Sequence, residues 1–458
     1  MSKLQTIKEV VAARLCLGCG ACAYASGGAY QMLDDPGEGL RPVLLDAKAG
    51  DFKESDCLAV CPAVQVDFGI LESEPKHPGW TADFGKEWGP IAKVWEGHAS
   101  DPEIRFQGSS GGALTAIAAY CLERAGMEGV LHIRQSPEDP MRNETRMSRT
   151  KAELLAAAGS RYSPASVCEK LAEVEAASAP CVVIGKPVEI AAVRKAAAAN
   201  PALAEKLGVT LSFYCAETPP TSATTTLLSN LKVDAAELEE LKYRGEGWPG
   251  HFATRACGAS EKIPHLTYRE SWAFLQSFRP WSTQIWPDGG GELADISCGD
   301  PWYEEPDGIN PGFSLVVART RKGIDLIEGA IAAGYLTLEP AELWKIAASQ
   351  KGLLNKKGSV WGRRLGMRLL GMPVTRFERL DLAHCWRLLP VTEKLKSVLG
   401  TIRRILQRRL KEPYLFKRAI QDFQAHQRPK PQLSIAAACC VIGEKGGDDA
   451  AVEVAADE

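Results

Sequence analysis

Apolar residues recur at helix and strand spacing through most of the chain between residues 95 and 340. From Gly111 to Arg124, Leu114, Ile117, Ala118, Cys121 and Leu122 fall on one stripe, the pattern of a helix packed by one face. Gly129-Val130-Leu131-His132-Ile133 reads as a strand. Thr150-Lys151-Ala152-Glu153 has the spacing of a capping box opening a second helix, and Gly159 is placed to end it. Cys181 to Gly185 reads as a short buried strand, followed by an alanine-rich helix over 188–199. Two further strands are expected at Val209–Tyr214 and Phe313–Ala318. Strands separated by helices predict an α/β layered domain with a largely parallel or mixed sheet.

The flanks differ. Residues 1–70 are turn-rich with little helical periodicity, and 74–90 read as a connector. Beyond 350 the pattern is helical and basic. Val391 to Leu410 sets Leu395, Val398, Leu399, Ile402, Leu406 and Leu410 along one stripe, with Lys394, Lys396, Arg403, Arg404, Arg408 and Arg409 largely elsewhere. The plain expectation is that this stripe packs on the central domain while the cations are solvated. The alternatives are a partner protein or the surface of an anionic membrane.

With 458 residues, 45% hydrophobic and 24% charged, the chain has the balance of a soluble globular protein of two or three folded units. Collagen, fibres and general disorder are excluded. No uninterrupted apolar run reaches the roughly 18 residues of a membrane span, and Met1 to Glu9 lacks the apolar core of a secretory signal. The expected location is cytoplasmic, with the inner membrane surface as the alternative. The net charge of −3 hides an asymmetry: residues 351–430 hold 20 Lys or Arg against 5 Asp or Glu. The acidic remainder weighs against nucleic acid as a partner. The expected divisions are 1–90, 91–350, a basic helical extension over 351–430, and a disordered acidic tail over 431–458.

Fourteen cysteines in a reducing compartment do not suggest a disulfide framework. Five lie in the first 61 residues. Cys16-Leu17-Gly18-Cys19-Gly20-Ala21-Cys22 is C-x2-C-x2-C, which can wrap a short loop around three corners of one cubane, with glycines permitting the tight turns. Cys57 and Cys61 are the candidates for a fourth ligand. Cys61 is favoured because Pro62 follows it, as in ferredoxin-type runs. The competing reading is structural zinc held by four of these five thiolates, although zinc sites more often pair two C-x2-C hooks.

From these cysteines and several later blocks, the chain resembles the coenzyme F420 hydrogenase/dehydrogenase beta-subunit family, iron–sulfur flavoproteins that include ferredoxin-dependent chlorophyll-pathway reductases. The blocks are Gln107 to Thr115, Gly159-Ser160-Arg161-Tyr162, Val183 to Ile190, Phe213-Tyr214-Cys215, Tyr243 to Gly250, and Glu292 to Trp302. Val188 stands where many relatives have cysteine, and Phe278 to Pro287 holds none. The resemblance therefore implies one 4Fe-4S cluster and FAD, in a small ferredoxin-like iron–sulfur module joined to a central flavin-binding α/β domain.

Gly108, Ser109, Ser110, Gly111 and Gly112 precede an apolar-striped helix and can aim backbone N–H groups at a phosphate. A bulky residue at Gly111 should then expel flavin and leave the fold intact. Arg161, Lys186 and Arg244, each beside glycine or proline, are the candidate cations for a pyrophosphate. His132, His251, His265 and Asp300 are candidate proton donors, each more readily structural, and no catalytic residue is assigned. The expected function is an oxidoreductase passing electrons between cluster and FAD, hence between a one-electron carrier (ferredoxin or deazaflavin type) and a two-electron substrate. The alternatives are an electron-transfer subunit serving a partner subunit, and a zinc-stabilised binding protein with a basic C-terminal region.

Overall fold

Four strands that are apolar on both faces form the centre of an eight-stranded sheet. Val130–Gln135, Cys181–Gly185, Leu207–Phe213 and Ile296–Gly299 run parallel to one another. Val182 belongs to one hydrophobic cluster and the adjacent Val183 to another, so alternate residues of one strand feed cores on opposite faces. Antiparallel strands close both sides: Asn143–Ser148 at one edge, then Ser314–Ala318, Lys93–Ala99 and Leu336–Pro340 at the other. The helix Ala113–Glu123 buries Ala116, Ile117 and Cys121 on one face. Pro187–Ala199 buries Ala192, Val193 and Ala196 on the other.

This computed structural model describes residues 4–45, 52–306 and 310–414, all within one compact unit, Met1–Leu415. The tail expected over 431–458 lies outside the described residues. The capping box at Thr150 and Glu153 forms as read, but its helix ends at Ala156. Gly159 is not its C-cap; it sits further on, in the left-handed region at φ 105°. The connector holds a helix, Ala82–Trp88, capped by Thr81. A separate three-stranded antiparallel sheet, Leu238–Lys242, His251–Ala256 and Ile263–Thr267, is interrupted by polar and charged residues such as Glu239, Glu240 and Arg255 that hid it from the apolar pattern.

The N-terminal segment contains the short helices Ile7–Ala12, Ala21–Ala25 and Glu54–Val60 and the hairpin Tyr30–Asp35/Gly39–Leu44. The basic C-terminal region is stitched into it. Arg376–Glu378 pairs in parallel with Gln65–Asp67, and Met367, Met372, Ile405 and Leu410 share a core with Val10, Leu15 and Ala63.

The expectation that the 391–410 stripe packs on the body is corrected. In the helix Val391–Gln407 the buried residues are Ser397, Thr401 and Ile405. Of the six stripe residues, Leu410 alone is buried, Val398 and Ile402 are half-buried, and Leu395, Leu399 and Leu406 are exposed. The cause is the neighbouring helix Lys351–Leu369, whose Gly362 and Gly366 receive the helix. A Cβ on Gly366 would stand 3.1 Å from the Val398 carbonyl oxygen, so only small side chains fit the contact. Among the described residues no helix is long and apolar enough to cross a membrane.

Candidate functional site

The cysteine loop folds as its spacing suggests. Gly18 and Gly20 adopt φ of 74° and 86°, and a Cβ on either would stand 2.6 Å from the Leu40 carbonyl oxygen or 2.7 Å from the Glu169 amide nitrogen. This close approach turns Cys16, Cys19 and Cys22 toward one pocket, and Cys61, at the end of the helix Glu54–Val60, lines it with them. Ile7, Val10, Met32 and Pro42 complete an apolar wall. Cys57 does not line this pocket; its fully buried thiol donates to the Cys22 carbonyl at 3.7 Å.

Burial pushes the Cys16, Cys22 and Cys61 thiols up. Cys19 is pushed down, chiefly by a hydrogen bond from Cys168. The donor set therefore suits a thiophilic metal centre whose positive charge would replace the protons. The thiols share a wall without converging: among the described residues no three His, Cys, Asp or Glu side chains stand at metal-holding geometry.

Leu17, which lines the four-thiol pocket, also lines a second recess, together with Gly18, Arg41, Lys186, Glu217, Ser282 and Thr283. Lys186 donates to the Ala165 carbonyl at 3.1 Å and pairs with Glu189 at 3.2 Å. Glu217 was not anticipated from sequence. It sits in the left-handed region at φ 77°, a conformation glutamate rarely adopts, and its side chain is buried. Lys356 Nζ lies 3.6 Å from its Oε1, too far to bond, and neither atom has a hydrogen-bond partner. Burial raises the Glu217 carboxyl and lowers the Lys356 ammonium.

The serine–glycine turn is built differently from its expected role. It does meet two of the other quoted blocks: Ser160 N–H donates to Ser109 Oγ at 2.6 Å and Arg244 to the Ser109 carbonyl, while Gly247 N–H donates to the carbonyl of Phe106, just before the turn, at 3.0 Å. The three expected cations do not converge. Arg161 spends its guanidinium on Asn143, Gln135 and the carbonyls of Leu241 and Pro140. Arg244, fully buried, forks onto Asp300 at 3.0 and 2.7 Å and lies over the Tyr268 ring. Lys186 belongs to the recess beside the cysteine loop.

Gly111 faces protein rather than open space: a Cβ there would stand 2.6 Å from Phe313 Cα and 2.7 Å from both the Gly97 carbonyl oxygen and the Ser314 nitrogen. The expectation that a bulky Gly111 spares the fold is therefore corrected. Gly111→Val should destabilise the protein by about 3 kcal/mol, read as a lowered denaturant midpoint, because backbone on two strands cannot yield.

Three of the four candidate proton donors are also engaged within the protein. Asp300 is held by Arg244 and Trp248, and His265 bonds Thr254 at 2.7 Å. His251 is exposed. His132 is buried against Ser148 Oγ at 2.7 Å, and burial pushes its pKa down to about 4 from the ordinary 6.5. The unfolded chain then binds the extra proton between about pH 6.5 and 4, so stability is full above that window and lost as pH falls through it. Denaturant titrations at pH 7 and 4.5 should show a loss of about 2 kcal/mol more for the wild type than for His132→Phe.

Comparison with known proteins identifies the family. Family models for the coenzyme F420 hydrogenase/dehydrogenase beta subunit match the chain in two consecutive parts, the N-terminal part over residues 94–172 and the C-terminal part over 180–343. The chain belongs to this family. Among curated relatives, the coenzyme F420 hydrogenase subunit beta of Methanothermobacter thermautotrophicus is 25% identical over 261 residues, 56% of this chain and 86% of that protein. The same subunit of Methanosarcina barkeri is 25% identical over 256 residues, 53% of this chain and 80% of that protein. A chain of the F420-reducing nickel–iron hydrogenase complex of Methanosarcina barkeri aligns with a TM-score of 0.48 at 19% identity, covering 67% of this chain and 99% of that one. The cysteine loop and the basic helices lie outside both family segments.

Proposed function

We propose that the protein is an oxidoreductase in which Cys16, Cys19, Cys22 and Cys61 hold one 4Fe-4S cluster and the neighbouring recess takes the flavin of FAD. The observation that carries this reading is the position of Leu17, between Cys16 and Gly18, which lines both the four-thiol pocket and the Lys186–Glu217 recess. Flavin would exchange single electrons with the cluster and paired electrons with a substrate.

The chain's own residues supply the surroundings. Apolar side chains keep water from the thiols, and Lys186 offers a cation to an anionic cofactor. Glu217 and Lys356, with carboxyl raised and ammonium lowered, form a buried pair able to hold a proton beside the recess. Arg161 and Arg244 lie outside the recess and are internally paired, so neither contributes to it. The curated relatives are named as hydrogenase subunits, which supports a partner subunit, with a ferredoxin or deazaflavin type of carrier as the electron donor or acceptor.

The test is anaerobic purification followed by iron, sulfide, zinc and flavin analysis with a visible spectrum. About four irons with bound or rebindable flavin supports the proposal. Stoichiometric zinc without iron points to the structural-metal alternative, and protein that never binds flavin removes the two-electron half of the reading.

A further inference from the structure

The helix Val391–Gln407 presents its apolar side to solvent. Val391, Leu395, Leu399 and Leu406 are between 54 and 69% exposed, and their spacing stacks them on one side. The opposite side, Ser397, Thr401 and Ile405, is buried against the helix carrying Gly362 and Gly366. At 100° per residue, Lys396 and Arg403 border the stripe on one flank, and both are exposed. Arg387 precedes the helix and Arg408, Arg409 and Lys411 follow it, all exposed. Between residues 387 and 411 there are eight cations and one acid, Glu393, which is paired with Lys396 at 2.8 Å.

We propose that this face is a docking surface for an anionic lipid bilayer, the helix lying in the interface with Leu395, Leu399 and Leu406 among the acyl chains and the bordering Lys and Arg at the headgroups. Charge complementarity selects this occupant. A second copy would bring the same cations against one another. The ridge is aliphatic throughout, without the Trp or Tyr anchors that dominate protein interfaces. An interfacial helix with a large apolar side and cationic flanks binds by both terms together, and each cation near an anionic surface adds to the attraction. This docking is independent of the redox reading, since it uses none of the residues assigned there.

The test is co-sedimentation of the full chain with vesicles of phosphatidylcholine alone or containing 30% phosphatidylglycerol, at low and high salt. Binding to the anionic vesicles at low salt is expected, at least tenfold weaker on phosphatidylcholine and at high salt. The exposed double substitution Leu395→Ser/Leu399→Ser and, separately, Lys396→Glu/Arg403→Glu should each weaken it about tenfold while leaving thermal unfolding and oligomeric state unchanged. No binding at low salt, or binding that neither pair alters, overturns the proposal. So does a wild-type dimer that Leu395→Ser/Leu399→Ser converts to monomer, which would assign the face to a second copy.

Discussion

Alanine at Cys16, Cys19, Cys22 or Cys61 is expected to reduce bound iron from about four atoms per chain to near zero, because a cubane deprived of one thiolate corner in an apolar pocket finds no replacement donor. Cys57→Ala should keep its iron. Cys57 faces the Cys22 carbonyl and packs with Ile7 and Tyr30 instead of lining the pocket, so its loss is a buried-atom deletion costing about 1 kcal/mol. Cys168→Ala is the sharper control. Cys168 is fully buried and its side chain hydrogen-bonds Cys19, so it touches a ligand without lining the pocket. Iron and acid-labile sulfide measured on all six variants after anaerobic reconstitution separate four ligands from two bystanders. Iron lost from Cys57→Ala but retained in Cys61→Ala would transfer the fourth ligand to Cys57.

What could be read from sequence, and what could not, follows from the range of the interactions involved. The central strands and the Thr150 capping box depend on neighbours within a few residues, and their residue types announce them. The cysteine loop is legible for the same reason, since Gly18 and Gly20 mark the turns that bring three thiols to one side. Arg244 is different. A cation beside glycines looks available until Asp300, 56 residues away, takes both its nitrogens. Glu217 carries no local mark, since its strained backbone is imposed by packing rather than by a glycine. The 391–410 stripe shows periodicity correctly, yet periodicity says only which side is apolar. Gly362 and Gly366, a helix away, decide that the small-residue side faces inward. Long-range partners thus set the roles of side chains whose local structure was already plain.

The other large effect concerns the buried pair that fastens the basic helices to the sheet domain. Lys357, on the helix Lys351–Leu369, donates to both oxygens of Glu292 at 2.8 and 3.0 Å and to the Glu87 carbonyl at 3.0 Å. Both side chains are almost wholly buried. Glu292 shares this interior with Asp288, whose carboxylate accepts the amides of Gly290, Gly291 and Glu292. Lys357→Met should cost about 3–5 kcal/mol, since it leaves a buried carboxylate without its counter-ion and a carbonyl without its donor. The cost should depend on pH. Burial already raises Glu292 to about 7, above the ordinary carboxyl value, so the folded state holds a proton that the unfolded state releases. That contribution to stability is fully present below about pH 4.5 and is lost as pH rises through about 7. Removing Lys357 pushes the carboxyl higher still, so the variant's deficit should be larger at pH 8 than at pH 6 in paired denaturant titrations. Lys357→Met/Glu292→Leu removes the stranded charge and should recover a substantial part of the loss. An equal deficit at both pH values, with no recovery in the double variant, would show that the pair contributes through packing alone.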